Sequence, residues 1–253
     1  MKLGVVGKGG VGKTTVSALV SRAYARRGWR VIAIDTDSNP NLGVSLGLTL
    51  AATEAVPILP RSLLVGTGGD VAADELIDRY GTMTPEGVTL LSAIRVTQAG
   101  AGCTCSGHAT VRSLLGEALA DQAEITLVDM EAGLEHLSRS GGTLAYADVL
   151  LVVMEPSRKS VITAARTVAL AEELGIPRTY GLGNKAQLPG DAEFFADVCA
   201  EYGVPLIGVL PYDSGVVAAD RAGTGPGSGL GDAAREELDR VISALDGMAA
   251  ARA

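Results

Sequence analysis

Gly7-Lys8-Gly9-Gly10-Val11-Gly12-Lys13-Thr14 is the stretch on which the reading of this chain turns. It fits the pattern G-x-x-x-x-G-K-[ST], a loop whose backbone N–H groups cradle phosphates. Before it, Leu3 to Val6 is a short apolar run that predicts a strand. After it, Thr14 to Arg27 predicts a helix that stops before Gly28. Strand, glycine-rich turn and helix are the context the pattern requires. Gly7, Gly9, Gly10, Val11 and Gly12 supply a backbone that curls its amides inward, and the helix N-terminus adds partial positive charge at the same spot. Lys13 is then expected to reach the β- and γ-phosphates of a nucleotide, Thr14 to ligate magnesium, and Thr15 to bond the α-phosphate.

Outward from this loop, short apolar runs alternate with helical patterns. Strands are expected at Arg30 to Ile34, Val88 to Leu91, Ile125 to Val128, Val149 to Val153, Thr179 to Leu182 and Leu206 to Val209. Helices fit at Thr110 to Ala120, Val161 to Leu174 and Ala192 to Tyr202. The alternation implies βαβ units. The fold class expected is α/β: a single P-loop NTPase domain over residues 1–253, with a mostly parallel twisted sheet and helices on both faces. Residues 51 to 87, broken by Pro57, Pro60 and the glycines from Gly66 to Gly69, resist assignment. Gly223 to Gly231 reads as a surface loop. Leu238, Val241, Ile242, Leu245 and Met248 form a helical stripe near the end, expected to pack on the core; its polar face mixes Glu236, Glu237, Asp239 and Asp246 with arginines, unlike a basic membrane anchor.

The formal net charge of −8 argues against a dedicated nucleic-acid surface. No run approaches the roughly 20 apolar residues of a membrane span, and no signal-peptide pattern opens the chain. Three cysteines, Cys103, Cys105 and Cys199, do not make a disulfide framework, so a reducing cytoplasm is the expected compartment. Cys199, after Phe194, Phe195 and Val198 in a helical stretch, is expected in the core.

Two apolar strands end in carboxylates. Asp35-Thr36-Asp37 closes the second strand, and Asp129 closes Ile125 to Val128 as the aspartate of a Walker B strand should, binding magnesium through water. Helix or strand caps are the plainer alternative for each. With Lys8 included, Gly7 to Thr15 reads G-K-G-G-V-G-K-T-T, and here the chain resembles the deviant Walker A ATPases, among them the MinD and ParA proteins and the nitrogenase iron protein. The resemblance implies ATP/ADP and Mg2+ as ligands and a nucleotide-sandwich homodimer in which Lys8 reaches the partner's phosphates. It implies that Asp37 positions the attacking water, that Asp35 supports the metal shell, and that Gly133 places an N–H near the γ-phosphate. Ser38 departs from the proline often found there. Asn184-Lys185, after a strand, resembles the adenine-reading pair, and Pro211-Tyr212-Asp213 the loop that packs on the base; ordinary turns explain both equally well.

Cys103-Thr104-Cys105 lies among Gly100, Gly102, Ser106 and Gly107, a polar setting that favours a metal over a core position. One chain offers two thiolates, and a two-fold dimer would supply the four of a tetrahedral site. His108 reads more simply as a loop histidine. The Cys103-x-Cys105 pair, with Asp129-Met-Glu-Ala-Gly133 and Gly133-Leu-Glu-His-Leu137, resembles the CooC family of ATPases, which assist nickel insertion into carbon monoxide dehydrogenase. That implies Ni2+ or Zn2+ shared between subunits and a nickel enzyme as client. Two rival readings stay open. An iron–sulfur donor would place its second cysteine three residues after Asp129, where Ala132 stands, though a cluster on Cys103 and Cys105 is a further option. A positioning ATPase would act on DNA or membrane, which the acidic balance disfavours.

Overall fold

The computed structural model describes residues 1–60, 73–95, 123–132 and 144–250. In chain order it holds β1 (Lys2–Gly7), α1 (Lys13–Arg26), β2 (Val31–Asp35), α2 (Leu42–Ser45), α3 (Leu50–Ala55), α4 (Ala73–Tyr80), β3 (Thr82–Met83), β4 (Thr89–Ser92) and β5 (Ile125–Asp129). There follow β6 (Val149–Met154), α5 (Arg158–Glu173), β7 (Thr179–Ala186), α6 (Asp191–Glu201), β8 (Leu206–Pro211), α7 (Ser214–Arg221), a 3-10 turn (Pro226–Ser228) and α8 (Asp232–Ala250). All eight strands form one sheet in the order β3-β4-β2-β5-β1-β6-β7-β8. Every pairing is parallel except β3 with β4. The expected α/β architecture is therefore present, with one antiparallel edge strand in the stretch that resisted assignment.

Burial explains the strand composition. All six residues of β6 and all five of β2 and β5 are buried, as continuous apolar runs covered on both faces must be. One face packs Leu3, Val5 and Leu151 against Val16, Leu19 and Val20 of α1 and against Leu238, Val241, Ile242 and Leu245 of α8. The other packs Ile32, Ile34 and Leu150 against Val161, Ala164 and Val168 of α5 and Phe195, Val198 and Cys199 of α6. The stripe near the end of the chain is thus core. Cys199 is too, and burial pushes its thiol up to about 11. Among the described residues no helix is long and apolar enough to cross a membrane.

Three expectations need correcting or bounding. Gly223 to Gly231 is more than a surface loop: Gly225, Pro226 and Gly227 are buried, and a Cβ on Gly227 would collide with the Arg22 guanidinium. The glycines there permit close packing on α1, a role that composition alone reads as turn. β7 runs on to Ala186, so Asn184 and Lys185 belong to the strand rather than follow it. The helix expected at Thr110 to Ala120 lies outside the described residues.

Candidate functional site

The strand order decides where a site can form. β1 sits between β5 and β6, and the chain leaves β1 for β2 on one side and returns to β6 on the other. Ligands of open parallel sheets lie beyond the carboxyl ends of the strands at such a reversal. The register puts Asp35 opposite Asp129, and Asp129 opposite Val5, two residues before the glycine loop. Three sequence-distant features, the loop, Asp35 and Asp129, therefore meet at one edge because their strands are neighbours.

The loop has the open geometry a phosphate needs. Gly12 immediately precedes α1 at φ 95°, with no side chain capping the helix and no acidic residue in its first turn. Only glycine suits that position, since a Cβ would also stand 2.5 Å from Asn184 Nδ2. The α1 amides are thus left to an external acceptor. Lys13 is 8% exposed and donates to the Lys8 carbonyl at 3.4 Å. Burial lowers its pKa, while Asp129, Asp37 and Glu131 oppose the shift by their charge. Lys8 and Gly9 lie on the exposed part of the loop.

Around the lysine the carboxylates hold distinct places. Asp129 is 2% exposed, accepts from Ser17 Oγ at 2.9 Å and is hydrogen-bonded by Thr14. Burial first, then the charge of Asp35, pushes it up to about 7. Asp35 accepts from the Asp37 amide at 3.0 Å on one oxygen and the Leu42 amide at 3.0 Å on the other, and so closes the loop after β2. Burial pushes it up to about 6. Asp37 accepts from the Asn39 amide at 2.9 Å and faces Lys13 electrostatically. Sequence reasoning passed over three participants: Ser17; Thr36, whose hydroxyl donates to the Asp129 carbonyl at 2.8 Å; and Glu131, which accepts from Ser38 Oγ at 2.9 Å. Ser17 lies one helical turn after Lys13, a spacing that signals a shared face. Nothing in the sequence pairs Ser38 with Glu131.

Asn184 and Lys185 brace the loop from β7, two strands over from β1. Asn184 Nδ2 donates to the Val11 carbonyl at 2.8 Å and Lys185 Nζ to the Gly10 carbonyl at 2.6 Å. Lys185 holds a positive φ of 60°, the sole such non-glycine residue among those described. Beside them a cleft opens, lined by Gly12, Thr15 and Leu19 of α1 and its loop, Leu210 to Asp213, Val216, Val217 and Asp220 of α7, and Leu230. Tyr212 is 43% exposed at its edge. Asp213 caps α7 by accepting from the Gly215 and Val216 amides at 2.8 and 3.3 Å, and takes the Gly231 amide at 2.7 Å. Its carboxylate is committed to the backbone. Cys103, Cys105, His108 and Gly133 lie outside the described residues. Among the described residues no group of three or more His, Cys, Asp or Glu side chains could close around a metal.

Comparison with known proteins agrees with this geometry. The model of the CobQ/CobB/MinD/ParA nucleotide binding domain matches residues 5–226. The chain belongs to that family. It is accordingly a P-loop ATPase. Its relatives include the carbon monoxide dehydrogenase accessory protein CooC of Rhodospirillum rubrum, 37% identical over 97% of this chain and 96% of that one. An uncharacterized ATP-binding protein of Methanocaldococcus jannaschii is 33% identical over 96% of each chain. In structure the chain is similar to the septum site-determining protein MinD complexed with Mg-ADP from Pyrococcus horikoshii, with a TM-score of 0.72 at 20% identity over 100% of this chain and 98% of that one. It is also similar to cobyrinic acid a,c-diamide synthase from Mycobacterium smegmatis with bound ADP and magnesium, with a TM-score of 0.69 at 21% identity over 96% and 93% of the two chains.

Proposed function

We propose that this ATPase is a dimeric accessory protein that carries nickel into carbon monoxide dehydrogenase or a similar nickel enzyme, with hydrolysis of ATP driving release. The observation that carries the reading is the 37% identity to the CooC accessory protein along nearly the whole of both chains. The Cys103-x-Cys105 pair, unexplained by an ATPase alone, is the feature that a metal cargo accounts for.

In this reading the loop amides and Lys13 hold the phosphates, and Lys13 gives up its carboxylate neighbours for the nucleotide. The oxygen donors Thr14 and Asp129 suit a hard cation, and a buried carboxylate raised to about 7 favours a positive partner. Thr14 would ligate magnesium directly and Asp129 through water, the phosphates completing the shell. When bound, magnesium neutralises charge on the transferring phosphoryl group. Asp37 orients the attacking water, and Lys8 stabilises the partner's phosphates from across the dimer. Cys103 and Cys105 of two subunits hold the nickel or zinc cargo as thiolates, in the reducing cytoplasm. ATP-bound and ADP-bound dimers differ in thiolate geometry, which is all that a transfer cycle requires. The burial of the stripe on α8 supports a cargo role over a membrane-positioning one, because that apolar face is already occupied.

The test is activation of nickel-free carbon monoxide dehydrogenase by the purified protein with nickel. Activation that needs both this protein and hydrolysable ATP is expected. Equal activation by nickel alone, or with a non-hydrolysable analogue, contradicts the proposal.

A further inference from the structure

A second cavity, of about 240 Å³, lies between α1 and the start of α8. Leu19 and Leu230 are common to its wall and to that of the cleft beside the phosphate loop, and no polar residue is. Four arginines line it: Arg22 and Arg26 of α1, Arg27 at the C-cap of that helix, and Arg235 in the first turn of α8. Such a gathering stands out in a chain with 29 acidic residues, 21 basic ones and a net charge of −8. Like charges brought together oppose one another unless partners offset them. The four are unequally supplied. Arg22 Nε donates to Glu86, and its guanidinium packs so closely on Gly227 that a Cβ there would collide with it. Arg27 donates to Asp246 at 3.0 Å and to Asp239 at 3.1 Å. Arg235 donates to the Leu230 carbonyl at 2.6 Å and has no carboxylate partner among the described residues. Arg26 has neither a hydrogen-bond nor an ion-pair partner among them. A cation in the last turn of α1 is favourable by itself. That does not account for a second uncompensated cation, carried to the same cavity by another helix.

We propose that this cavity is a second anion site, which takes a phosphate group on the guanidinium groups of Arg26 and Arg235, with Arg22 and Arg27 adding positive charge. A guanidinium presents a planar fork of donors that matches the oxygens of an oxyanion two at a time. A carboxylate has two oxygens and is satisfied by one fork. A tetrahedral phosphate has oxygens left for the second, so two open forks favour it. The cavity is smaller than the roughly 300–1,000 Å³ of clefts that house larger ligands. The ligand is therefore inorganic phosphate or a small phosphate monoester, whose organic part would lie on Leu19, Leu230 and Leu238.

The test is calorimetric titration of the full-length protein with inorganic phosphate, glycerol phosphate and acetate at constant ionic strength. Phosphate also suits the loop before α1, so the titrations are made in the Lys13→Ala background, which weakens that site. Saturable phosphate binding should persist there. Arg26→Gln and Arg235→Gln, which keep much of each side-chain stem, should each weaken it by about tenfold, the scale of a charge-assisted contact. Thermal melts of the same variants should stay unchanged, since both arginines are exposed. Acetate should bind at least about tenfold more weakly than phosphate. Tighter binding of glycerol phosphate than of inorganic phosphate would make the ligand an ester, and equal or weaker binding the free anion. Arg158→Gln removes a cation from α5, on the opposite face of the sheet, and should change nothing. Absence of saturable phosphate binding overturns the proposal. So does binding that survives the Arg26→Gln, Arg235→Gln double variant, which would place the anion at the loop. An equal loss in Arg158→Gln, or equal affinity for acetate, would reduce the effect to general charge and overturn it as well.

Discussion

In the proposed reading the cleft has a phosphate end and a base end, and the two are built in opposite ways. At the phosphate end eight consecutive residues form the loop, and two buried aspartates arrive there because β5 pairs with β1 and β2 pairs with β5. At the other end, α1, β7, β8, the loop after β8, α7 and the start of α8 with the residues before it each contribute one to three side chains. The first arrangement concentrates charge in a dry place, with Lys13 and Asp129 nearly excluded from water. The second is apolar, partly open, and decorated with groups that mostly serve the backbone. The contrast teaches that binding strength should reside at the phosphate end and discrimination at the base end.

The largest effect should come from Lys13→Ala. Removing the buried Lys13 cation, which faces Asp129, Asp37 and Glu131, leaves three carboxylates where the loop is expected to hold phosphates. Nucleotide affinity or turnover is expected to fall by at least about 100-fold, the cost of about 3 kcal/mol of lost charge-assisted contact. Near wild-type ATP turnover would break the comparison at its strong end. Gly12→Ala comes next, because Gly12 touches both ends. Its φ of 95° and the 2.5 Å approach to Asn184 oppose any side chain. A stability loss of about 1–2 kcal/mol is expected from the backbone alone, visible in urea unfolding, together with weakened nucleotide binding.

Asp129 and Asp35 are held at about 7 and about 6 in the folded chain, above the ordinary value of 3.8 that they regain on unfolding. Between pH 4 and 7 the folded state therefore keeps protons that the unfolded state has released. Stability of the nucleotide-free protein should fall as pH rises through that window and level off above it. Thermal melts from pH 5 to 8 should show it, by roughly 2–4 °C for each kcal/mol of linkage. Asp129→Asn should flatten the profile and raise the melting temperature at pH 8. A profile that climbs with pH would contradict the assignment. The smallest effect is expected at the brace: Lys185→Ala removes one exposed bond to the Gly10 carbonyl, and ADP affinity should weaken by about two- to fivefold. A loss as large as that of Lys13→Ala would erase the distinction between the two ends.

Legibility in the sequence follows the same divide. The glycine loop, β1, α1 and the aspartate-ended strands were readable because each is a contiguous pattern with its own physical cause. The apolar stripe on α8 was readable as core from its period and the mixed charge of its other face. Asp213, which lines the cleft as part of the loop after β8, is also the N-cap of α7, and the signal for that role is present: an acid before Ser214 with apolar residues two and three positions on. Ser38 with Glu131 could not be read, since the two are 93 positions apart and join only when β2 and β5 pair. Gly223 to Gly231 misled because glycine and proline mark turns and close packing alike. α3 was hidden by Pro57 and Pro60, although Thr49 caps it by accepting from the Ala52 amide.

The central claim, an ATPase that shares a metal cargo between two chains, is tested most directly by nickel titration of the reduced, anaerobic protein in the presence of ATP and magnesium. Two thiolates per chain are too few for a closed four-ligand site, so two chains must share one. The account predicts one tightly bound nickel for every two chains, a rise in dimer fraction as metal is added, and loss of tight binding in the Cys103→Ser, Cys105→Ser double variant while Cys199→Ser retains it. One nickel per chain, or tight binding that persists in the double variant, would contradict it.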